Sequence, residues 1–478
     1  MAGRKRRTAR AAVAGLALAV AGTLAAPGTT PAAARSGDRL DGAWRMDGYS
    51  TIVTIGGGKL AMYDTTRGSC VRGYTSADQV GAPGPGGATR FEAGADGTFT
   101  IVPRPHGHAR MQVEESVGVR HLKRLAALPE QCGRAASQAP LAVFDRFWET
   151  FADNYPFFAA KGIDWQAVRD RYRARVTPGT TDAQLQRMFT AMIRPLHDSH
   201  TALAYDGRLV HSGLRPGTRE ATDELRERTG RAIARQLVEP PRLFGEGRLA
   251  VGELPGRIGY FRVDSFGGYV KDGTFRQELA ELDRALDALL DGRTGPGADP
   301  ARALRGLVID VRLNGGGYDV LGLRIAARLT DRAYTAYTKV ARNDPLDPTR
   351  YTRPQPITVG PADASRWTGG VALLTSGSSE SAAETFTQAM IGRSPKATRI
   401  GENTQGVFSD IMIRAVSEKW TAVVPNEKYL DRDGRTFDGP GIPPHLRTPV
   451  FTEKELDGGR DSALTRARQV LGGKPGRS

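Results

Sequence analysis

Cysteine is nearly absent from this chain, with Cys70 and Cys132 the only two in 478 residues. That excludes a thiolate cage for structural zinc, which needs about four ligands, and a disulfide-dense scaffold. Long apolar runs are equally scarce. The longest, Ala11 to Ala26, has 16 residues against the roughly 20 that a membrane-spanning helix needs, and no later segment is long or apolar enough. An excess of acid is lacking too, since the formal charge is +15. Much of that charge is local: setting aside the first 34 residues leaves 62 basic against 52 acidic residues, a net +10. What remains is spread through mixed-charge stretches such as DRYRARV and DELRERTGRAIAR, which read as solvated helix faces. No nucleic-acid-binding motif accompanies them.

What is present begins with an export pattern. Arg4, Lys5, Arg6, Arg7 and Arg10 precede the apolar run, and small residues ending Ala32-Ala33-Ala34 follow it. Residues 1–34 are therefore expected to be a cleaved signal for secretion, with no stable membrane insertion afterwards; an uncleaved anchor is the other reading. In an oxidising compartment the two cysteines are read as one Cys70–Cys132 disulfide, two buried thiols being the alternative. Hydrophobic residues at 39% and charged residues at 25% suit folded cores, and the length suits about three of them.

Residues 35–137 carry short alternating runs, YSTIVTI, KLAMYDT, GTFTIVP and ARMQVEE, between Gly-, Pro- and Asp-Gly-rich turns. This predicts an antiparallel β domain with GAPGPGG as an exposed tip. His106 and His108 there read as a polar loop. From residue 138 the period changes to that of a helix, with Leu141, Phe144, Phe147, Trp148 and Phe151 on one stripe. Two further helices follow, DWQAVRDRYRARV and TTDAQLQRMFTAMIRPL, the latter capped by Thr180 or Thr181. This helical domain is taken to end at 206, with a connecting helical segment at 207–257. Over 258–452, strands and helices alternate as RIGYFRV, FRQELAELDRALDALL, LRGLVIDVR, VALLTSG, SAAETFTQAMIG, TRIGE and TAVVP. That order predicts an α/β core whose sheet is covered on both faces, and 453–478 is read as a tail.

Chemistry is expected on loops at the strand ends of such a core. Two stand out: Arg312-Leu-Asn-Gly-Gly-Gly317 and Ser376-Gly-Ser-Ser-Glu-Ser-Ala-Ala-Glu384. Ser381 with Glu384 spells a capping box, yet a serine at a helix N-terminus also has free N–H groups near a developing oxyanion. Glycines 315–317 could bring a second N–H close to a substrate carbonyl, or form a plain turn. A base is needed, and the seven histidines, at 106, 108, 121, 197, 200, 211 and 445, are not separated by spacing.

The strings FWETFADNYPFFAAKGIDW, LHDSHTAL, GYFRVDSF, GLVIDVRLNGGG, LLTSGSSESAAETF, IGENTQG and FDGPGIPP resemble, in order, segments of the C-terminal-processing and tricorn peptidase family. The resemblance implies a crotonase/ClpP-like spiral core and a serine peptidase acting on peptides or proteins without a cofactor or metal. It places the nucleophile on Ser381 and the oxyanion hole on Gly315, Gly316 and Ala382. Family members use either a lysine in T-x-G-K or a Ser-His pair. Here Val407 stands at the lysine position, so the tricorn-like version applies, with His200 as base and Ser199 supporting it. The orienting acid falls on Asp438, where the family usually has glutamate, and His445 replaces the terminal aspartate of that segment. Relatives often insert a PDZ domain, but about 57 residues between His200 and Ile258 are too few for one.

Two other functions compete. A non-catalytic hydrophobic-ligand carrier shares the fold through the related retinoid-binding modules, though it has no need of Ser381, His200, Ser199 and an acid together. A metal hydrolase would rest on His197 and His200 at i, i+3, a spacing unlike that of the known H-E-x-x-H sites.

Overall fold

A computed structural model describes residues 40–472 except 95, 96 and 296. The export pattern of residues 1–34 lies outside the described residues. Eight antiparallel strands come first: β1 (Gly42–Met46), β2 (Thr51–Gly56), β3 (Lys59–Thr65), β4 (Cys70–Val80), β5 (Thr89–Glu92), β6 (Thr98–Arg104), β7 (His108–Val113) and β8 (Arg120–Arg124). They close into a barrel, because β8 pairs back onto β1 with Trp44 opposite Arg124. Alternation along the strands turns Trp44, Phe91, Phe99, Ile101, Met111 and Leu122 inward, and these buried side chains fill the interior. Gly57 and Gly58, both with positive φ, make the two-residue turn between β2 and β3. Cys70, at the start of β4, is bonded to Cys132 beyond β8, tying the exit of the barrel to its wall.

Three helices follow, α1 (Pro140–Asn154), α2 (Trp165–Arg173) and α3 (Asp182–Ile193). Asp164 caps α2 through the Ala167 N–H, and Thr181 with Gln184 forms a capping box on α3. The aromatic stripe of α1 is core: Phe144, Phe147, Trp148 and Phe151 are buried, and Phe147 stacks on Phe189 with centroids 4.0 Å apart. Leu141 is the exception and is exposed.

The remaining elements are β9 (Ala202–Tyr205), β10 (Arg208–Ser212), α4 (Asp223–Ala234), β11 (Arg242–Phe244), β12 (Leu249–Leu254), β13 (Ile258–Val263), α5 (Phe275–Leu290), β14 (Gly306–Asp310), α6 (Asp319–Ala327), β15 (Tyr334–Ala341), β16 (Gln355–Val359), β17 (Val371–Thr375), α7 (Ala382–Gly392), β18 (Thr398–Gly401), β19 (Ile411–Ala415), β20 (Trp420–Pro425), β21 (Glu427–Leu430), β22 (Leu446–Arg447), α8 (Glu453–Asp457) and α9 (Ser462–Gly472). The central sheet runs β11-β12-β13-β14-β17-β18-β22, parallel from β13 onward. Residues from α5, α6 and α7 pack on one face against Leu307, Ile309 and Leu373; those of α4 and α9 cover the other against Val308, Ala372 and Ile400. Burial on both faces explains the unbroken apolar runs GLVID and VALLT.

Three sequence readings differ from this arrangement. The interval 207–257 supplies β10, β11 and β12 as well as a helix. TAVVP does not join the central sheet; as part of β20 it pairs with β9 and β19 in a four-stranded sheet, so the histidine segment and the core share one sheet. The expected tail contains α9, whose Ala463, Leu464 and Ala467 are core, and Asp461 beside it binds the buried Arg312 guanidinium (2.7 and 2.8 Å). Apolar spacing on α9 needed a sheet to face before it could be recognised.

Candidate active site

Both chemical loops leave the C-terminal ends of adjacent parallel strands, β14 and β17, and they are sewn together there. Asn314 does most of the joining. Its carbonyl accepts from the Glu380 N–H (2.9 Å), its Nδ2 donates to the Val263 carbonyl (3.0 Å) and its Oδ1 accepts from the Gly316 N–H (2.8 Å). Ser376 and Ser379 donate their hydroxyls to the carbonyls of Arg312 (2.5 Å) and Val311 (2.8 Å). Gly316 then lies against the serine: a Cβ there would stand 2.6 Å from Ser381 Cβ and 3.1 Å from its Oγ. At φ +96° that position suits glycine alone.

Ser381 itself has φ 58° and ψ −120° immediately before α7, a conformation costly for a residue with a side chain. It is held by its N–H, which donates to the Val407 carbonyl (3.1 Å) and to Glu384 Oε2 (3.2 Å). The buried Glu384 carboxylate also accepts from the N–H groups of Gly406 (2.6 Å) and Val407 (2.8 Å), and burial raises its pKa well above the usual range. The cap partner foreseen for the helix thus also clamps the 404–407 loop onto the serine. Val407, the residue at the lysine position, is buried and meets the serine through its carbonyl.

The histidine arrives from the turn before β9. Asp198 shapes that turn by accepting from the His200 N–H (2.9 Å) on Oδ1 and from the Tyr155 hydroxyl (2.8 Å) on Oδ2. Gly213 presses on the turn so closely that a Cβ would stand 2.2 Å from the Asp198 carbonyl oxygen. His200 is buried, and its Nδ1 and the Ser199 hydroxyl have no hydrogen-bond partner among the described residues. Burial raises the pKa of Glu380, one residue before the serine, while the charge of His200 and the Ser199 hydroxyl act the other way. His197 is exposed, so it shares no focus with buried His200, and no cluster of three metal-ligating residues occurs among the described residues.

Two residues with expected roles make other contacts in this structure. The Gly316 N–H is committed to Asn314, so it is not a free oxyanion donor; the N–H groups of Gly315 and Ala382 make no hydrogen bond among the described residues. Asp438 makes no hydrogen bond to His200 or Ser199. Its Oδ1 accepts from the Phe408 N–H (3.2 Å), and its Oδ2 accepts from the Thr436 hydroxyl. Burial pushes its pKa up to about 7, with Asp198 adding to the rise. Both oxygens of this carboxyl thus have local partners. Glu380, Asn314 and Tyr155 carried no role in the sequence reading. Asn314 and Glu380 stand inside the two motifs, but nothing in their spacing marks them.

Residues 257–448 match the family model for peptidase family S41, and residues 138–194 match that for the tricorn protease C1 domain, together slightly more than half of the chain. The chain belongs to peptidase family S41. This S41 chain is accordingly a serine-type peptidase, a hydrolase of peptide or protein substrates. No curated protein matches it in sequence. Among solved structures, a protein of Parabacteroides merdae ATCC 43184, provisionally classed as a peptidase, shares the fold at TM-score 0.58 and 23% identity, over 71% of this chain and 98% of that one. Mature CPAF, solved with lactacystin, aligns at TM-score 0.49 and 11% identity over 70% and 97%. Tricorn protease aligns at 0.42 and 15% over 88% of this chain and 46% of its own.

Proposed function

We propose that this S41 peptidase is an exported endopeptidase that cleaves through an acyl-enzyme on Ser381, with His200 as general base. The observation that carries the reading is the packing of the Gly316 backbone on the Ser381 side chain, which brings the glycine loop, the strained serine and the start of α7 to one point. Ser381 Oγ attacks the substrate carbonyl carbon as His200 takes its proton. The carbonyl oxygen, now negative, is received by the N–H groups of Ala382 and Gly315, which have no partner among the described residues, with the positive end of the helix behind them. His200 then gives the proton to the departing amine. Water repeats the sequence in reverse to release the acid.

Export is supported by the basic, apolar and small-residue pattern of residues 1–34 and by the Cys70–Cys132 bond. A fluorophosphonate probe applied to the mature protein should label Ser381, and Ser381→Ala should remove labelling and peptide hydrolysis without changing the fold. Labelling of a different serine in the folded protein refutes the assignment. N-terminal sequencing of protein collected from the culture medium tests export, with a start near residue 35 expected.

A further inference from the structure

We propose that the outer face of the barrel formed by β6, β7, β8 and β1 is a docking surface for a linear phosphate-bearing polymer. These four strands contain no aspartate or glutamate, whereas β3, β4 and β5 carry Asp64, Asp78 and Glu92. Alternation turns their apolar residues inward and their cations out. The register sets Arg104 opposite His108, His108 opposite Lys123 and Lys123 opposite Arg45, so one row crosses four neighbouring strands. Three inter-strand spacings make that row about 14 Å long. Arg110 opposite His121 forms a second row, and His106 stands at the β6–β7 turn. All seven side chains are exposed.

Like charges directly opposite one another destabilise a sheet. Elsewhere on the barrel the exposed cations have acids beside them, Lys59 with Asp78 (2.6 Å) and Arg90 with Glu92 and Glu114 (3.3 and 3.4 Å). On this face only Arg45 has one, Asp47 at 3.0 Å; the side chains of Arg104, Arg110 and Lys123 make no ion pair or hydrogen bond among the described residues. The charges at its borders are engaged. Arg120 lies over the Tyr49 ring (4.6 Å), and Arg124 lies over the Trp44 ring (4.3 Å) and donates to the Asp41 carbonyl. The row also sits at the end of the barrel turned away from the peptidase core. β7 runs from His108 in the row to Val113, and the loop beyond it is bonded to the core, by Ser116 to Asp410 (2.9 Å) and by Val119 to both ends of the Gln355 amide (2.8 Å each).

Chemistry narrows the occupant. Three of the four permanent cations are arginines, whose planar forks take phosphate oxygens in paired N–H bonds. No exposed large apolar side chain lies on these strands, those of the barrel being Tyr74 and Val80 on β4. The face therefore has neither the apolar wedge that enters a bilayer nor the aromatic centre of a protein interface. It equally lacks the aromatic platforms on which the bases of a single-stranded nucleic acid stack. What it offers is a row of positive charge for a flexible chain with an acid at every unit, and imidazoles add to such charge as pH falls through the weakly acidic range.

The experiment measures binding of fluorescently tagged long-chain inorganic polyphosphate to the mature protein by anisotropy, at pH 5.5 and 7.5 and at about 50 and 200 mM salt. Saturable binding that weakens with salt is expected, tighter than to polyglutamate of matched charge, single-stranded DNA or vesicles containing phosphatidylglycerol. Replacing Arg104, Arg110 and Lys123 together by Gln should weaken it about tenfold or more and flatten the salt slope by about 2, three lost phosphate contacts at about 0.7 each. Lys59→Gln with Arg90→Gln, cations already paired with acids, should stay within about twofold of wild type. Affinity should be higher at pH 5.5, and His108→Gln with His121→Gln should remove that gain. Fluorophosphonate labelling should be the same in all these variants, which keeps the test independent of the catalytic reading. Wild-type affinity in the triple variant, equal affinity at the two pH values, or tighter binding of polyglutamate, DNA or vesicles than of polyphosphate would overturn the proposal. If the triple variant fails to fold, Lys123→Gln at the centre of the row decides, an unchanged affinity counting against it.

Discussion

Asp438 is a buried carboxyl whose ionisation the fold opposes, and replacing it with asparagine should stabilise the protein in a pH-dependent way. Burial raises its pKa from 3.8 to about 7, chiefly by desolvation and further by the nearby Asp198. The unfolded chain releases this proton near its ordinary value, so stability falls as pH rises from about 4 to 7 and stays at the lowered level above that. A shift of three units at 1.36 kcal/mol each is a penalty on the order of 4 kcal/mol above pH 7. Asparagine avoids the penalty. Its amide oxygen can still accept from the Phe408 N–H, and its amide NH2 can donate to Thr436 Oγ once that hydroxyl turns. The assay compares thermal unfolding of Ser381→Ala with and without Asp438→Asn at pH 4, 6 and 8, the background change preventing self-cleavage. The double variant should melt several degrees higher at pH 8, less so at pH 6, and alike at pH 4. A difference independent of pH, or a double variant less stable at pH 8 than at pH 4 relative to its control, would refute the argument.

Two further outcomes follow from the same geometry. Gly316→Ala should lose Ser381 labelling by about 100-fold or more, because its Cβ would stand 2.6 Å from Ser381 Cβ at a φ of +96°. Gly315→Ala, with open space around the added carbon, should keep most of the labelling; equal losses in the two variants would undo the packing argument. Replacing both Cys70 and Cys132 by serine opens a link spanning 62 positions, a loss of about 4 kcal/mol on the chain-entropy model. Lower melting and faster proteolysis of the barrel are expected, with Ser381 labelling retained in the folded fraction; unchanged melting would show that the barrel does not depend on the bond.

Local signals determined much of the molecule. The helix from Phe275, the threonine cap before α3, read as Thr180 or Thr181, and the continuous strands Gly306–Asp310 and Val371–Thr375 were legible because capping and periodicity act within a few residues. The glycine loop and Ser381 were legible for the same reason, as motifs at strand ends, whereas His200 was reached through family resemblance. Barrel closure was not, since β1 meets β8 across most of a domain and alternation names a face but no partner. Nor was the destination of β20, whose partner β9 lies more than two hundred residues away. The acid beside the histidine was hidden most deeply. Asp198 and Asp438 are alike as carboxylates in the sequence; only the folded chain decides that the first accepts from the His200 N–H while Asp438 is taken up by Phe408 and Thr436, because a buried carboxylate is defined by the donors that reach it.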